Sequence, residues 1–348
     1  MIAVTGQPVA LERLARRAPG PLSEQVLGLL LGAPTGAADP RPAAAAAAPL
    51  AAVADPLADD DLQLALYLCF ELHYRSFAGV DPDWEWDPAL LALRAALERR
   101  FLDALAAALP PPPPVDPERV GELLFELEAA DESPSLSRAI ERRADLERFR
   151  ELVVHRSLYQ LKEADPHSWA IPRLAGDAKS ALVEVQADEY GGGRPERIHA
   201  RLFANTMREL GLDARENAYL DHVPGFTLAT VNLMSALGLR AARRGAIVGH
   251  LAMFEMTSAA PNRRYGNALR RLGFGPPATN FYDEHVEADA VHENIAAYDL
   301  AGGLARAEPE LAPDIVFGAR ALLRLEGAFA RRLLAAWERG ETSLRRPL

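Results

Sequence analysis

The sequence predicts an all-α protein, and three observations support this prediction. Alanine is abundant, while aromatic residues make up only 7% of the 348 residues, which favours closely packed helices over a β-sandwich. Apolar residues recur at helical spacing in most segments, and no segment shows the alternation of a half-buried strand. With 49% hydrophobic residues, the chain can bury one large core or two smaller ones.

The first 58 residues are predicted to form a separate N-terminal region. A short amphipathic helix is expected around residues 11–31. Residues 33–58 are an Ala/Pro/Gly tract that can bury little area per ordered residue, so we expect a flexible linker there. The remainder of the chain, residues 59–348, is predicted to form one domain.

Apolar periodicity and helix-capping signals predict a succession of helices in this domain. Residues 59–75 form the first core helix, and residues 87–109 follow it, started by Asp87-Pro88 and ended by a stiff polyproline spacer at 110–114. The later predicted helices cover residues 116–130, 137–164 (one long helix or two), 175–189, 195–210, 219–237, 240–259, 262–272, 276–304 and 309–338.

Charge, hydropathy and cysteine content exclude several classes of protein. The net charge is -11 and no basic run occurs, which argues against a nucleic-acid partner. The longest apolar stretch, residues 43–53, is too short to span a bilayer, and residues 1–10 do not resemble a signal peptide, so we expect no membrane partner and a cytoplasmic location. The single cysteine, Cys69, excludes an internal disulfide and a multi-thiolate zinc site.

The most informative motif is E-H-V-E-A-D-A-V-H-E-N at residues 284–294. It places His285, Asp289 and His292 at i, i+4 and i+7, within an arc of about 60° on one helix face. Upstream, P-E-R-I-H-A places Glu196 and His199 at i, i+3. Paired Glu-x-x-His and Asp-x-x-His units are the means by which helical bundles hold two iron or manganese ions between facing helices.

Three further carboxylates complete the set of candidate ligands. Glu255 lies on an apolar helix, where a carboxylate is costly unless it is paired or metal-bound, and it is the expected bridging ligand. Glu163, at the end of a predicted helix, and Glu189, shortly before a run of three glycines, can each complete a second metal position. The metal-binding part of the chain is therefore predicted to be residues 116–338. The candidate metal ligands are Glu163, Glu189, Glu196, His199, Glu255, His285, Asp289 and His292.

Three blocks of sequence resemble the heme-oxygenase-like di-iron oxidases, a family also described as iron-containing redox enzymes. They are E-A-D-P-H-S-W-A-I-P-R-L (163–174), D-E-Y-G-G-G-R-P-E-R-I-H-A-R-L-F (188–203) and F-Y-D-E-H-V-E-A-D-A-V-H-E (281–293). The resemblance covers roughly residues 59–332 and implies a heme-oxygenase-like all-α bundle of about seven core helices. It also implies that Glu255 links both metals and that Glu163 is the additional carboxylate of members that oxygenate nitrogen.

Heme binding by His73 in the same fold would not explain the candidate carboxylate and histidine ligands. Cys69 lies in an apolar run and fits poorly as the catalytic cysteine of thiaminase-like relatives. Arg173 and Lys179 could pair with a substrate carboxylate, or equally with surface acids.

We therefore expect a non-heme di-iron oxidoreductase with two iron ions, dioxygen as co-substrate and an external electron donor such as a reductase. Its expected substrate is a small amino-acid-like molecule, its expected assembly is a homodimer, and N-oxygenation is the favoured reaction. Oxidative desaturation, carbon–carbon cleavage or cyclisation of an aliphatic amino or fatty acid is the alternative. An alternative outside the enzymes is a non-catalytic metal-binding helical protein.

Overall fold

The computed structural model is helical throughout. It describes the backbone of residues 9–348 and the side chains of all of these except residues 287–291. No β-strand occurs in this part of the chain, so the predicted all-α class is confirmed. None of the described helices combines the length and the apolar character that a membrane crossing requires.

The N-terminal region forms three helices that pack on the main core. Asp61, near the start of the first core helix, accepts hydrogen bonds from the backbone N–H groups of Leu22 (2.8 Å) and Ser23 (2.7 Å). These bonds satisfy two of the unpaired donors at a helix start. The region therefore joins the main body through both apolar packing and capping. The three helices are α1 (Leu11–Ala15), α2 (Pro21–Leu30) and α3 (Arg41–Ala52).

The tract predicted as a linker contains a helix. Helix α3 packs against the later helix Pro88–Ala108, and Ala46 on it is fully buried. Alanine is the strongest helix former, and its small side chain allows close packing even though it buries little area. The prediction of a linker without secondary structure is therefore wrong for residues 41–52.

The first two helices of the main domain begin where the sequence predicts. They are α4 (Asp60–Glu71) and α5 (Pro88–Ala108). The Asp59 carboxylate accepts a hydrogen bond from the Leu62 N–H, and the Asp87 carboxylate caps α5 in the same way. Aspartate is a preferred residue at this capping position, which is why these boundaries could be predicted locally.

The remaining helices form the part of the chain that carries the candidate ligands. The segment predicted at 137–164 is two helices, because Asp145 interrupts it and caps the second by accepting from the Arg148 N–H. Short 3₁₀ turns join several helices, and a π-helix, Ile295–Ala301, lies between α15 and α16. The helices are α6 (Val120–Ala129), α7 (Leu136–Arg143), α8 (Leu146–Gln160), α9 (Asp165–Ser168), α10 (Gly176–Glu189), α11 (His199–Glu209), α12 (Gly225–Gly238), α13 (Arg244–Met256), α14 (Ala259–Arg271), α15 (Pro276–Asn294), α16 (Gly302–Ala307) and α17 (Ala312–Glu338).

Two glycines set the distance between α13 and α17. A β-carbon on Gly249 would lie 1.8 Å from the carbonyl oxygen of Ile315, and one on Gly318 would lie 1.8 Å from that of Ala246. The two backbones are therefore in direct contact at both points, and no side chain fits between them. This contact fixes α13, the helix that carries Glu255.

Candidate metal centre

Four buried side chains from separate segments converge at one point. Glu163, Glu189, His199 and His285 each offer one ligand atom, and these atoms all lie within 4.8 Å of one another. Carboxylate oxygens and imidazole nitrogens form a donor set suited to iron and other first-row transition metals. The cluster joins residues from three distant parts of the sequence.

A tight turn brings Glu189 and His199 together. Glu189 ends α10 and His199 begins α11, and Glu189 Oε2 lies 3.0 Å from His199 Nδ1. Within the turn, Gly191 has a φ of 75°, and a β-carbon there would lie 2.8 Å from the backbone carbon of Arg197. Only glycine fits this combination of left-handed backbone and close approach. The turn therefore sets the spacing of the two ligands.

Glu163 and His285 face each other across the cluster. Glu163 lies in the turn after α8, and the next residue, Ala164, has a φ of 74°, which is uncommon for a residue with a β-carbon. His285 donates its Nδ1–H to the carbonyl oxygen of Phe281 (2.7 Å). Such a bond fixes the tautomer and orients the other nitrogen as a metal ligand. His285 Nε2 lies 3.6 Å from Glu163 Oε1.

A second carboxylate–imidazole pair adjoins the four-residue group. Glu255 lies on α13 and lines the same small cavity as Glu189 and His285. Its Oε2 lies 3.4 Å from Nδ1 of His292, and both side chains are buried. The two groups together place six candidate ligands in one buried region of the protein.

Asp188 supports this second pair, and the sequence analysis missed it. Its carboxylate accepts a hydrogen bond from His292 Nε2 (3.0 Å), which orients His292 Nδ1 towards Glu255. Burial alone would lower the pKa of His292, but the Glu255 and Asp188 carboxylates raise it to about 9. The Asp188 side chain is 57% exposed, and an exposed acid gives no pattern of its own. The only available signal was its position next to Glu189.

The electrostatics of the cluster fit a bound cation. Burial raises the pKa of Glu163, Glu189 and Glu255, although neighbouring histidines oppose the shift. Glu163 Oε2 is buried and forms no hydrogen bond within the described part of the chain, while Glu189 Oε2 and Glu255 Oε2 each face only an imidazole nitrogen. An unsatisfied buried polar atom costs about 1–3 kcal/mol, and a cation bound among these groups would remove that cost. The residues present therefore fit iron.

The structure does not bring Glu196 into this cluster. Glu196 is exposed on the 3₁₀ turn Pro195–Arg197, and the α-helix begins only at His199. The expected helical Glu-x-x-His unit is therefore wrong, because the extended backbone at Ile198 separates the turn from the helix. Glu189 occupies the place beside His199 instead. The side chain of Asp289 lies outside the described residues, and its role as a ligand stays a prediction.

The other residues considered in the sequence have structural contacts. Arg173 donates to the backbone carbonyl oxygens of Gly238 and Leu239, at the end of α12. Burial raises the pKa of the Cys69 thiol to about 12, as expected of a small residue in the core. His73 contacts the Glu85 carboxylate through Nδ1 at 2.9 Å. None of these residues lines the cavity at the metal centre.

A cavity of about 300 Å³ opens beside the cluster. It lies among α7, α8, α14 and α17, and both Glu163 and His285 line it. Burial of Tyr265 in its wall raises the pKa of that phenol to about 12. The metal centre therefore has direct access to a space that fits a small molecule.

A model of the family described as "Iron-containing redox enzyme" matches residues 150–327, a span that includes every candidate ligand. The chain belongs to the iron-containing redox enzyme family. As a member of this family it is an oxidoreductase that uses iron, and its all-α fold is heme-oxygenase-like. The resemblance inferred from the three sequence blocks is confirmed.

One relative is the nitrosourea synthase of Streptomyces achromogenes subsp. streptozoticus. The present chain is 28% identical to this synthase over 191 residues. The match covers 54% of this chain and 40% of the relative. The chain thus corresponds to less than half of the relative's length.

Proposed function

We propose that this enzyme is a non-heme di-iron oxygenase that uses dioxygen to oxidise a nitrogen atom of a small amino-acid-like substrate. The observation that carries the proposal is the buried convergence of Glu163, Glu189, His199 and His285, two of which, Glu163 and His285, also line a small-molecule cavity. A site for metal storage alone would not need a cavity of this size at its ligands.

Two iron positions are proposed from the ligand geometry. The four-residue group would hold one ion, and Glu255 and His292, with Asp289 as predicted third ligand, would hold the other. Bound iron would supply the electrons that activate dioxygen, and an external donor would return them. The protein's own contribution is to exclude water by burial and to orient the imidazoles through Phe281 and Asp188.

N-oxygenation is favoured by the name of the relative. A nitrosourea contains a nitrogen–nitrogen bond and a nitroso group, so its synthesis requires oxidation of nitrogen. For a first hydroxylation, R–NH₂, O₂, two electrons and two protons give R–NHOH and water. One oxygen atom enters the N–H bond and the other leaves as water, while the external donor supplies both electrons.

The proposal is tested in two steps. Anaerobic titration with iron(II) should saturate near two ions per chain, as six or seven ligands in a helical bundle allow. The loaded protein should then consume dioxygen in the presence of one member of an amino-acid panel. Mass spectrometry with ¹⁸O₂ should show a labelled oxygen atom on nitrogen.

Three results would contradict the proposal. Saturation well below one ion per chain would remove the di-iron centre. Oxygen uptake that gives an alkene, a shortened chain or a ring would favour desaturation, cleavage or cyclisation. Binding of two ions without oxygen uptake on any substrate would favour a non-catalytic metal-binding protein.

A further inference from the structure

The cavity beside the metal centre contains an ion pair between an arginine and a glutamate, and their charges neutralise each other. Arg156 donates two hydrogen bonds to Glu326, at 2.8 and 2.7 Å. This bidentate geometry is the strongest that a guanidinium and a carboxylate form. Neither partner therefore has a full charge to offer to a bound molecule.

Arg264 on α14 lines the same cavity but has no such partner. It donates to the hydroxyl oxygen of Ser137 at 3.1 Å, and no carboxylate among the described side chains forms an ion pair with it. Ser137 and Ser135 belong to the start of α7 and also line the cavity. The backbone N–H groups of a helix start add positive potential at this place. The part of the cavity wall at Arg264 and Ser137 thus offers donors to an anion, and the nearby Asp131 carboxylate is occupied by hydrogen bonds from Ser133. Glu163 and His285 form another part of the wall.

We propose that Arg264 binds the carboxylate of the substrate and so directs the rest of the molecule towards the metal ligands Glu163 and His285. The planar guanidinium matches a carboxylate with two parallel hydrogen bonds. Holding one end of a small molecule fixes the distance of its other end from the reacting centre. The inference rests on the proposed function as regards the oxidation of the substrate. The binding of a carboxylate by Arg264 does not depend on it.

The test compares acids with their carboxamides, which differ only in the charged group. Binding of L-amino acids, medium-chain fatty acids and the corresponding carboxamides is measured by calorimetry on the manganese(II)-loaded protein. The wild type should prefer at least one acid over its amide by roughly 10- to 100-fold, as expected for charge-assisted hydrogen bonds. Arg264→Gln should abolish this preference, and Arg264→Lys should restore part of it.

Arg263→Gln is the matched control. Arg263 is the neighbouring residue on α14, is exposed, and does not line the cavity, so its loss should leave the preference unchanged. A tethering role of Arg264 towards Ser137 would change stability but not the ratio of acid to amide binding. If Arg264→Gln fails to fold, the wild-type ratio and Arg264→Lys decide the question.

Two outcomes would overturn the inference: no acid of the panel is preferred by the wild type, or Arg264→Gln keeps the preference. The acid preference is measured without any oxygen chemistry, so its failure is distinct from that of the proposed function. If the acid preference is observed but no oxygen uptake occurs, the oxygenase proposal is contradicted and the carboxylate site is supported.

Discussion

Glu189 and Glu196 lie on the two sides of one short turn but in opposite environments. Glu189 is 7% exposed and contacts His199, whereas Glu196 is exposed. Glu189→Gln should therefore weaken iron(II) binding at one position by at least about 10-fold, because an amide cannot offer the anionic oxygen. Glu196→Gln should change it by no more than about twofold. Anaerobic iron(II) titration of both variants measures the difference.

The reverse result would show that Glu196 and His199 act together as metal ligands, as the Glu-x-x-His spacing predicts. If Glu196→Gln loses the metal and Glu189→Gln keeps it, the turn rearranges when iron binds. Both variants remove one negative charge from the same segment, so a general charge effect would reduce both affinities alike.

Asp188 is predicted to matter to the metal although it is half exposed. Asp188→Asn should lower affinity at the position of His292 by roughly 10- to 100-fold, the usual effect of losing a partner that orients a ligating histidine. His292→Ala should weaken that position at least as much while leaving the helical circular dichroism unchanged. Iron titration gives both affinities. Equal binding by Asp188→Asn and wild type would show that the hydrogen bond does not orient the ligand.

Sequence pointed to the buried candidate ligands because hard donors are rare on apolar helices, as at Glu255. It could not identify Asp188 or Arg264, whose roles depend on which side chain another helix places opposite them. It named both Glu189 and Glu196 as candidate ligands, because both precede His199 at plausible distances. The path of the turn separates them, since it buries Glu189 beside His199 and leaves Glu196 exposed.

At the scale of elements, the turn between α10 and α11 gives a prediction. Gly191 and Gly192 both have positive φ, 75° and 57°, but a β-carbon meets the Arg197 backbone only at Gly191 and has open space at Gly192. Gly192→Ala should cost about 1 kcal/mol of unfolding free energy, and Gly191→Ala about 2–4 kcal/mol. Urea unfolding of both variants measures the costs. Equal costs would mean that the turn moves to accept the added carbon.

Most helix boundaries were predictable because their signals are local. Asp87, followed by Pro88, caps α5 within its own first turn, and no distant residue is needed. Helix α3 was missed because its stability depends on packing against α5. Alanine and proline content alone does not distinguish a helix lying on a core from a flexible tract.

At the scale of the whole molecule, the C-terminal segment is held on the core by a polar network. Glu151 on α8 accepts from Trp337 Nε1 (2.8 Å) and from the backbone N–H of Ser343 (2.6 Å). His155, one turn further on, hydrogen-bonds to the hydroxyls of Thr227 and Ser343. His155 thereby connects α8 both with α12 and with the C-terminal segment.

His155 should make stability depend on pH. Burial, assisted by the charge of Arg156, lowers its pKa to about 3, whereas the unfolded chain has a value near 6.5. The unfolded state therefore binds the proton first, and stability present above pH 6.5 is lost as the pH falls towards 3. Between pH 6.5 and 4.5 the wild type should lose about 2–3 kcal/mol relative to His155→Gln. Denaturant titrations of both proteins at a series of pH values measure this difference, and a constant difference would contradict the prediction.

The π-helix Ile295–Ala301 begins shortly after His292 and lies against α10 and α13. A π-helical turn holds more residues than an α-helical turn. The conformation of this segment therefore depends on how many residues it contains as well as on which residues they are. Deleting one residue would let the α-helix continue and would rotate His292 by about 100° relative to α16. Natural variants should accordingly show substitutions here but no insertions or deletions. A single-residue deletion scan through 295–301 that left iron binding intact would disprove this constraint on length.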